Sequence, residues 1–420
     1  MTAPALPWPP RRAHTLSLLT GLYAAQGLPY GFFSLALPAL LREVGWSLTA
    51  IGMLQFLALP WALKFLWAPV VDHHGARRHW LWGLQGAAVA LALWCAWLDL
   101  GVHSLWLFVA VFLFNLVAAT QDVVTDGLAV RLLDARDRGV ANGIQVGAYR
   151  LGTILGGGLL LWVFARSNAA LMFTCMAALL ALLSVPVWRF PEPVSPQAQG
   201  ATGVAAVARP GWRALALGWW HRAMSPGMRT LIGLIVAFRL GDQMASSLIT
   251  PFILDQGAGK ETLALMKGAV GSGTSLLGAA LGAWLLWRVG RGQALLWSGL
   301  AQCAAFALYA AVALGWGGLP ALWAATVMEG LLGTMATVAL FALMMDAADP
   351  AHAGTDYTLL ASVTVAVSGA GSLLGGAVGD LLGYAWAFGL GTVLSAGGCV
   401  LLVTWLSRHP THARVAQAWR

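Results

Sequence analysis

Six long apolar runs, a polar break and six more apolar runs govern what this chain can become. A helix that crosses a bilayer needs about 20 consecutive, mostly apolar residues. Runs of that length cover 15–41, 49–71, 80–99, 104–130, 140–164 and 168–189, then 229–253, 262–287, 293–313, 320–345, 357–380 and 384–406. In hydrocarbon every backbone N–H and C=O must be satisfied within the segment, so each run is expected to be a helix. The expected fold class is therefore an all-α membrane protein of twelve transmembrane helices. Its expected organisation is an N-terminal six-helix bundle over 1–190, a cytoplasmic linker over 191–228, and a C-terminal six-helix bundle with a short cytoplasmic tail over 229–420.

Composition supports the same conclusion. Only 10% of the residues are charged and 59% are hydrophobic, whereas a water-facing surface normally needs about 25% charged residues. The 50 glycines suit close helix packing in lipid. The net charge of +8 does not point to nucleic acid, because the basic residues fall in the short gaps between apolar runs. With the N-terminus inside, 17 of the 24 lysines and arginines lie in cytoplasmic segments; Arg42, Arg166, Lys260 and Lys267 are placed outside, and the other three lie within spans. Lysine and arginine bias sets topology, so both termini are expected on the cytoplasmic side. Cys95, Cys175, Cys303 and Cys399 sit singly in apolar runs, which speaks against a disulfide framework or a metal site. No cofactor is expected. The first run follows Arg11 and Arg12 but is long, holds Pro29 and Pro38, and lacks a small-x-small end, so it is expected to be retained and not cleaved.

The break opens with Pro191, Glu192, Pro193, Ser195 and Pro196, which cannot sustain a helix. Residues 212–223 mix tryptophan with arginine and fit a short interfacial helix. The two halves look related. Leu133-Asp134-Ala135-Arg136-Asp137 closes span four, and Met345-Asp346-Ala347-Ala348-Asp349 closes span ten. A Gly-rich span follows each. Repeated halves suit a transporter that rocks one half against the other around a central site, so the bundles are expected to be pseudo-symmetric.

Between spans two and three runs Ala68-Pro69-Val70-Val71-Asp72-His73-His74-Gly75-Ala76-Arg77-Arg78. It resembles the loop signature G-x-x-x-D-x-x-G-x-R-R of the major facilitator superfamily, with Ala68 in place of the first glycine. Asp72, Gly75, Arg77 and Arg78 are expected to form a conformational latch, its ion pairs made in one state and released in another. No clean second copy follows span eight, where Trp287-Arg288-Val289-Gly290-Arg291 lacks the aspartate. GxxxG pairs at Gly152/Gly156, Gly278/Gly282 and Gly375/Gly379 let backbones approach closely.

Seven ionisable residues lie well inside spans: Lys64, Asp122, Asp126, Arg150, Arg239, Asp242 and Glu329. Each costs roughly 2.5–3.5 kcal/mol at a helix centre on insertion scales, so an idle charge there is rare. At about 1.5 Å per residue, Asp122 and Arg150 lie at similar depth and are expected to be able to meet near the midplane. Asp122 and Asp126 share a face with Asn115, and Arg239 and Asp242 are neighbours on span seven. Two roles compete for the set: binding an anionic solute with a carboxylate carrying the coupling proton, or structural pairing of helices.

The runs Tyr23-Ala24-Ala25-Gln26-Gly27-Leu28-Pro29, Leu63-Lys64-Phe65-Leu66-Trp67-Ala68-Pro69, Ala119-Thr120-Gln121-Asp122 with Asp126, and Phe238-Arg239-Leu240-Gly241-Asp242 resemble the AmpG-type branch of that superfamily. The branch includes muropeptide permeases, acetyl-coenzyme A transporters and RhtX/FptX-type siderophore importers. The resemblance covers essentially the whole chain. It implies the major facilitator fold and functional roles for Lys64, Asp122, Asp126, Arg239 and Asp242, with Gln26 a polar contact on span one. Arg150 and Glu329 rest on membrane cost alone. Length and the opening run look most similar to the siderophore importers, which implies a monomeric, proton-coupled importer of a siderophore or its iron chelate in the bacterial inner membrane. The alternative is a permease for GlcNAc-anhydroMurNAc-peptides of cell-wall recycling. An intramembrane enzyme is disfavoured because neither HExxH nor GxSxG occurs. A channel is disfavoured because no filter loop is found.

Overall fold

The computed structural model describes residues 12–33, 37, 57, 59–73, 76–98, 104–133, 135–188, 212–257, 260–409 and 415. Among these, helices account for nearly every residue and no strand occurs. Nine helices among the described residues are long and apolar enough to cross a membrane: Leu105–Leu132, Asp137–Arg166, Ala169–Trp188, Pro226–Asp255, Leu265–Val289, Arg291–Ala313, Gly318–Ala347, Pro350–Leu382 and Tyr384–Arg408. They correspond in order to spans four to twelve. The described parts of spans one to three are the helix Arg12–Gly31, the broken segment from Leu59 to His73, and the helix Arg77–Ala96. In the break between the halves, the helix Trp212–Ala223 forms as its composition suggested, and 191–211 lie outside the described residues. Single glycines with φ of 83° and 84°, Gly290 and Gly383, make the turns between spans eight and nine and between spans eleven and twelve. That left-handed conformation is one that only glycine adopts without strain.

Contacts group the chain into two compact units, Met1–Leu132 with Leu151–Trp220, and Leu133–Arg150 with His221–Arg420. The first part of span five, through Arg150, thus packs with the second unit. In the first unit, Phe32 and Phe173 meet edge to face at 5.2 Å within a core drawn from spans one, three, four, five and six. In the second, Phe388 contacts Phe252 and Tyr309 at 5.2 and 5.3 Å.

The GxxxG glycines mark close helix crossings inside these units. A methyl group on Gly152 or Gly156 of span five would collide with the Ala24 or Leu28 carbonyl of span one. Gly278 of span eight presses on the Leu331 carbonyl of span ten, and a methyl on Gly282 would lie 3.1 Å from the Met335 Cα. Gly375 of span eleven meets the Met244 carbonyl of span seven; Gly379 has ordinary room, 3.6 Å from Leu248.

Four helices depart locally from α geometry. Span two tightens to a 3-10 turn at Lys64–Leu66, because Pro69 has no N–H to donate to the Phe65 carbonyl and the ladder must shift. Wider π turns occupy Leu155–Leu159, Ala264–Val270 and Glu329–Gly333. Such interruptions cluster at functional sites, and here three of the four hold or adjoin a charge inside a span.

Candidate functional site

In the first unit, the tightened turn of span two presents three side chains to span four. The Trp61 indole donates to Asn115 Oδ1 at 3.0 Å, Lys64 Nζ pairs with Asp122, and the Trp67 indole donates to Thr120 Oγ1 at 3.1 Å. The spacing of three residues matches three residues per turn in a 3-10 helix. Lys64 is only 4% exposed, and its ammonium also sits 5.5 Å from the Trp61 ring centroid. One turn along span four, Asp126 accepts from the Tyr23 hydroxyl at 2.8 Å. Gln26 donates to Thr125 Oγ1 at 3.3 Å, and Gln121 to the Leu22 carbonyl at 3.2 Å. A buried charge is tolerated only when paired and hydrogen-bonded, and this cluster meets that condition with residues from spans one, two and four.

The depth-based pairing of Asp122 with Arg150 is replaced. Asp122 is taken by Lys64, while Arg150 donates to Ser275 Oγ at 3.3 Å within the second unit. Depth along a helix axis leaves the direction around that axis open, and the long lysine stem on span two reaches Asp122.

In the second unit, Asp242 gathers four donors: Arg239 three residues back, Gln302 from span nine, Gln243 at 2.9 Å and Ser246 at 3.3 Å. Glu329 pairs with Lys267 at 3.2 Å. Lys267 was placed outside the membrane by charge counting, yet it lies inside the helix Leu265–Val289. Both partners sit in π turns. Glu329 needed a partner within reach in lipid, and that need was the sequence signal for Lys267.

Of the expected latch, Asp72 pairs with Arg77, and Arg77 donates to the Val124 carbonyl at 3.1 Å. Gly127 leaves room for this guanidinium, which a methyl group would strike. Arg78 donates to the Trp188 carbonyl at 3.2 Å and lies 4.2 Å over the Trp82 ring. Gly75 lies outside the described residues.

Two clusters in the second unit were not singled out as sites. Asp346, 1% exposed, bridges Arg138 at 2.9 Å and Arg291 at 2.8 Å. Arg222 on the helix Trp212–Ala223 grips Asp356 through two bonds of 3.1 and 2.6 Å and reaches Asp349 at 3.5 Å. The likeness of 133–137 to 345–349 was the signal for the first, and the arginine-rich break for the second. Burial works against the Arg222 charge, but Asp356 and Asp349 outweigh it and raise its pKa above the usual value. Burial likewise raises the Asp349 carboxyl, but the Ala351 N–H, Arg222 and His352 bring it below its ordinary value. Among the described residues, no three His, Cys, Asp or Glu side chains gather to hold a metal ion.

Two charged clusters, each sealed by hydrogen bonds inside apolar helices, are what a solute carrier needs and a structural membrane protein does not. The family model of the Major Facilitator Superfamily matches residues 19–363. The chain belongs to that superfamily. Its members carry small-molecule solutes across membranes, so this is a multi-pass membrane transporter and not an enzyme. Among superfamily relatives, it is similar to the anhydromuropeptide permease of Escherichia coli K12, 29% identical over 365 residues, 83% of this chain and 71% of that one. It is also similar to the putative transporter AmpG 4 of Rickettsia conorii, 22% identical over 91% of this chain and 94% of that one. In fold it matches the human organic anion transporter MFSD10 with a TM-score of 0.72 at 19% identity, over 94% of this chain and all of the other. The all-α facilitator fold is thereby shown.

Proposed function

We propose that the chain imports anhydromuropeptide-type solutes, sugar–peptide fragments of the cell wall, across the bacterial inner membrane in symport with protons. The similarity to the E. coli anhydromuropeptide permease along 83% of the chain carries this reading. It supports the muropeptide alternative better than the siderophore expected from length. The chemistry of the site agrees. A sugar–peptide offers hydroxyls, amides and carboxylates, and the clusters offer amides (Gln26, Gln121, Gln302), indoles (Trp61, Trp67) and cations (Lys64, Arg239).

Lys64 and Arg239 receive carboxylates of the solute. A solute carboxylate competes with Asp122 for Lys64, and the displaced Asp122 takes up the coupling proton so as not to remain a lone buried charge. Asp126, Asp242 and Glu329 complete the proton-bearing set, with Arg150 as a further anion contact and Gln26 as a solute contact. Asp72, Gly75, Arg77 and Arg78 act as the latch. The transporter works as a monomer with both termini cytoplasmic, two pseudo-symmetric bundles over 1–190 and 229–420, and a linker over 191–228.

The test is uptake of labelled GlcNAc-anhydroMurNAc-peptide into spheroplasts of a strain lacking its own permease and expressing this chain. Accumulation that a protonophore abolishes is expected. No accumulation of the muropeptide, with accumulation of a ferric siderophore in parallel, overturns the substrate.

A further inference from the structure

A groove of about 630 Å³ lies between spans three and six of the first unit. Its two ends differ in chemistry. At one end Arg78 stacks on Trp82 and donates to the carbonyl of Trp188, the last residue of the span-six helix. About one helical turn beyond Trp82 comes Gln85, which is 4% exposed, with no hydrogen-bond partner for either its amide oxygen or its amide nitrogen. Gly86 and Val89 line the next stretch. A methyl group built on Gly86 would meet nothing within 4 Å, so its face of the groove is open.

A buried amide left without partners is costly, and apolar hydrocarbon beside it supplies none. Gln85 also borders an inner cavity of about 10 Å³, shared with Gln26 and Gln121, which is about the room one water needs. One water there leaves the second amide group of Gln85 to the groove.

We infer that this groove binds one anionic diacyl phospholipid, with its phosphate on Arg78, an ester carbonyl on the Gln85 amide and an acyl chain along Gly86 and Val89. The order of groups along the groove is the order along the lipid. The basic run Arg77-Arg78-His79 favours a headgroup without a compensating cation, and tryptophans such as Trp82 and Trp188 suit the headgroup level. A free phosphate would have no use for the apolar stretch. An ester carbonyl, unlike a lipid tail, can accept from Gln85 Nε2.

The test reconstitutes the full-length protein, Gln85→Leu and Gly86→Leu in nanodiscs of equimolar phosphatidylglycerol and phosphatidylcholine. Each is then extracted into mild detergent, and the retained lipid is read by native mass spectrometry. Gly86→Leu fills open space, so it should fold and melt like the wild type while blocking the groove. The wild type is expected to retain a single phosphatidylglycerol in preference to phosphatidylcholine. Each variant is expected to hold it about tenfold more weakly, the effect of one lost hydrogen bond or a blocked chain. Equal retention of the two lipids by the wild type, or undiminished phosphatidylglycerol on Gly86→Leu, overturns the site.

Discussion

Removing the ammonium that faces Asp122 tests whether the charges of the first unit hold it together as a pair. Lys64→Met keeps the length of the stem and leaves Asp122 without a cation in a site where Lys64 is 4% exposed. Breaking a buried pair from one side typically costs about 3–5 kcal/mol, whereas replacing both partners by apolar groups is close to neutral. Lys64→Met and Asp122→Asn should therefore each destabilise, and Lys64→Met/Asp122→Leu should recover most of the loss. The coupling in the double-mutant cycle is expected to be at least about 3 kcal/mol. At about 2–4 °C per kcal/mol for a unit of this size, the single variants should melt about 6–20 °C below wild type in detergent. The double variant should melt close to wild type and still fail in protonophore-sensitive uptake, which separates the fold from the transport role. If Lys64→Met melts within 2 °C of wild type, or if the double variant is worse than both single ones, the pairing argument is wrong.

Asp346→Asn should lower the melting temperature more than Arg138→Gln or Arg291→Gln, because it leaves two buried guanidiniums without their shared carboxylate; scanning fluorimetry on the three variants checks the order. Gly156→Val should cost at least about 1–3 kcal/mol by overpacking against the Leu28 carbonyl, whereas Gly158→Val, with nothing within 4 Å, should melt like wild type. Arg222→Ala should speed amide hydrogen exchange across Trp212–Ala223. The Asp349 carboxyl titrates below its ordinary value, so its contribution is complete above about pH 4 and is lost only as the pH falls through its lowered folded value; exchange in that helix should be flat from pH 5 to 8 once corrected for intrinsic rates.

The spans were legible because lipid leaves only one way to satisfy a backbone, and the apolar runs announce it. The nine membrane-length helices follow those runs, and the short helix Trp212–Ala223 follows its tryptophans and arginines. The charges inside spans were legible as a set, but their partners were not. Asp122 was paired by depth with Arg150, and the structure gives it Lys64, because a proline five residues further on reshapes the helix around that lysine. Lys267 was misplaced because a topology count weighs how many charges a segment has and ignores what each one faces. Asp346 was seen only as part of a repeated pattern. Its partners Arg138 and Arg291 had been absorbed as loop charges, and only the packing of spans five, nine and ten reveals that they converge.

The wide turn at Glu329–Gly333 makes this stretch less tolerant of a change in length than of a change in identity. Deleting one residue there would return the helix to regular geometry, a local improvement. It would also swing everything downstream through about 100°, one residue's share of a 3.6-residue turn. Asp346 would then point away from both of its arginines, and Glu329 would leave the neighbourhood of Lys267. An apparent flaw in one helix therefore acts as the index mark that keeps two distant charge clusters in phase.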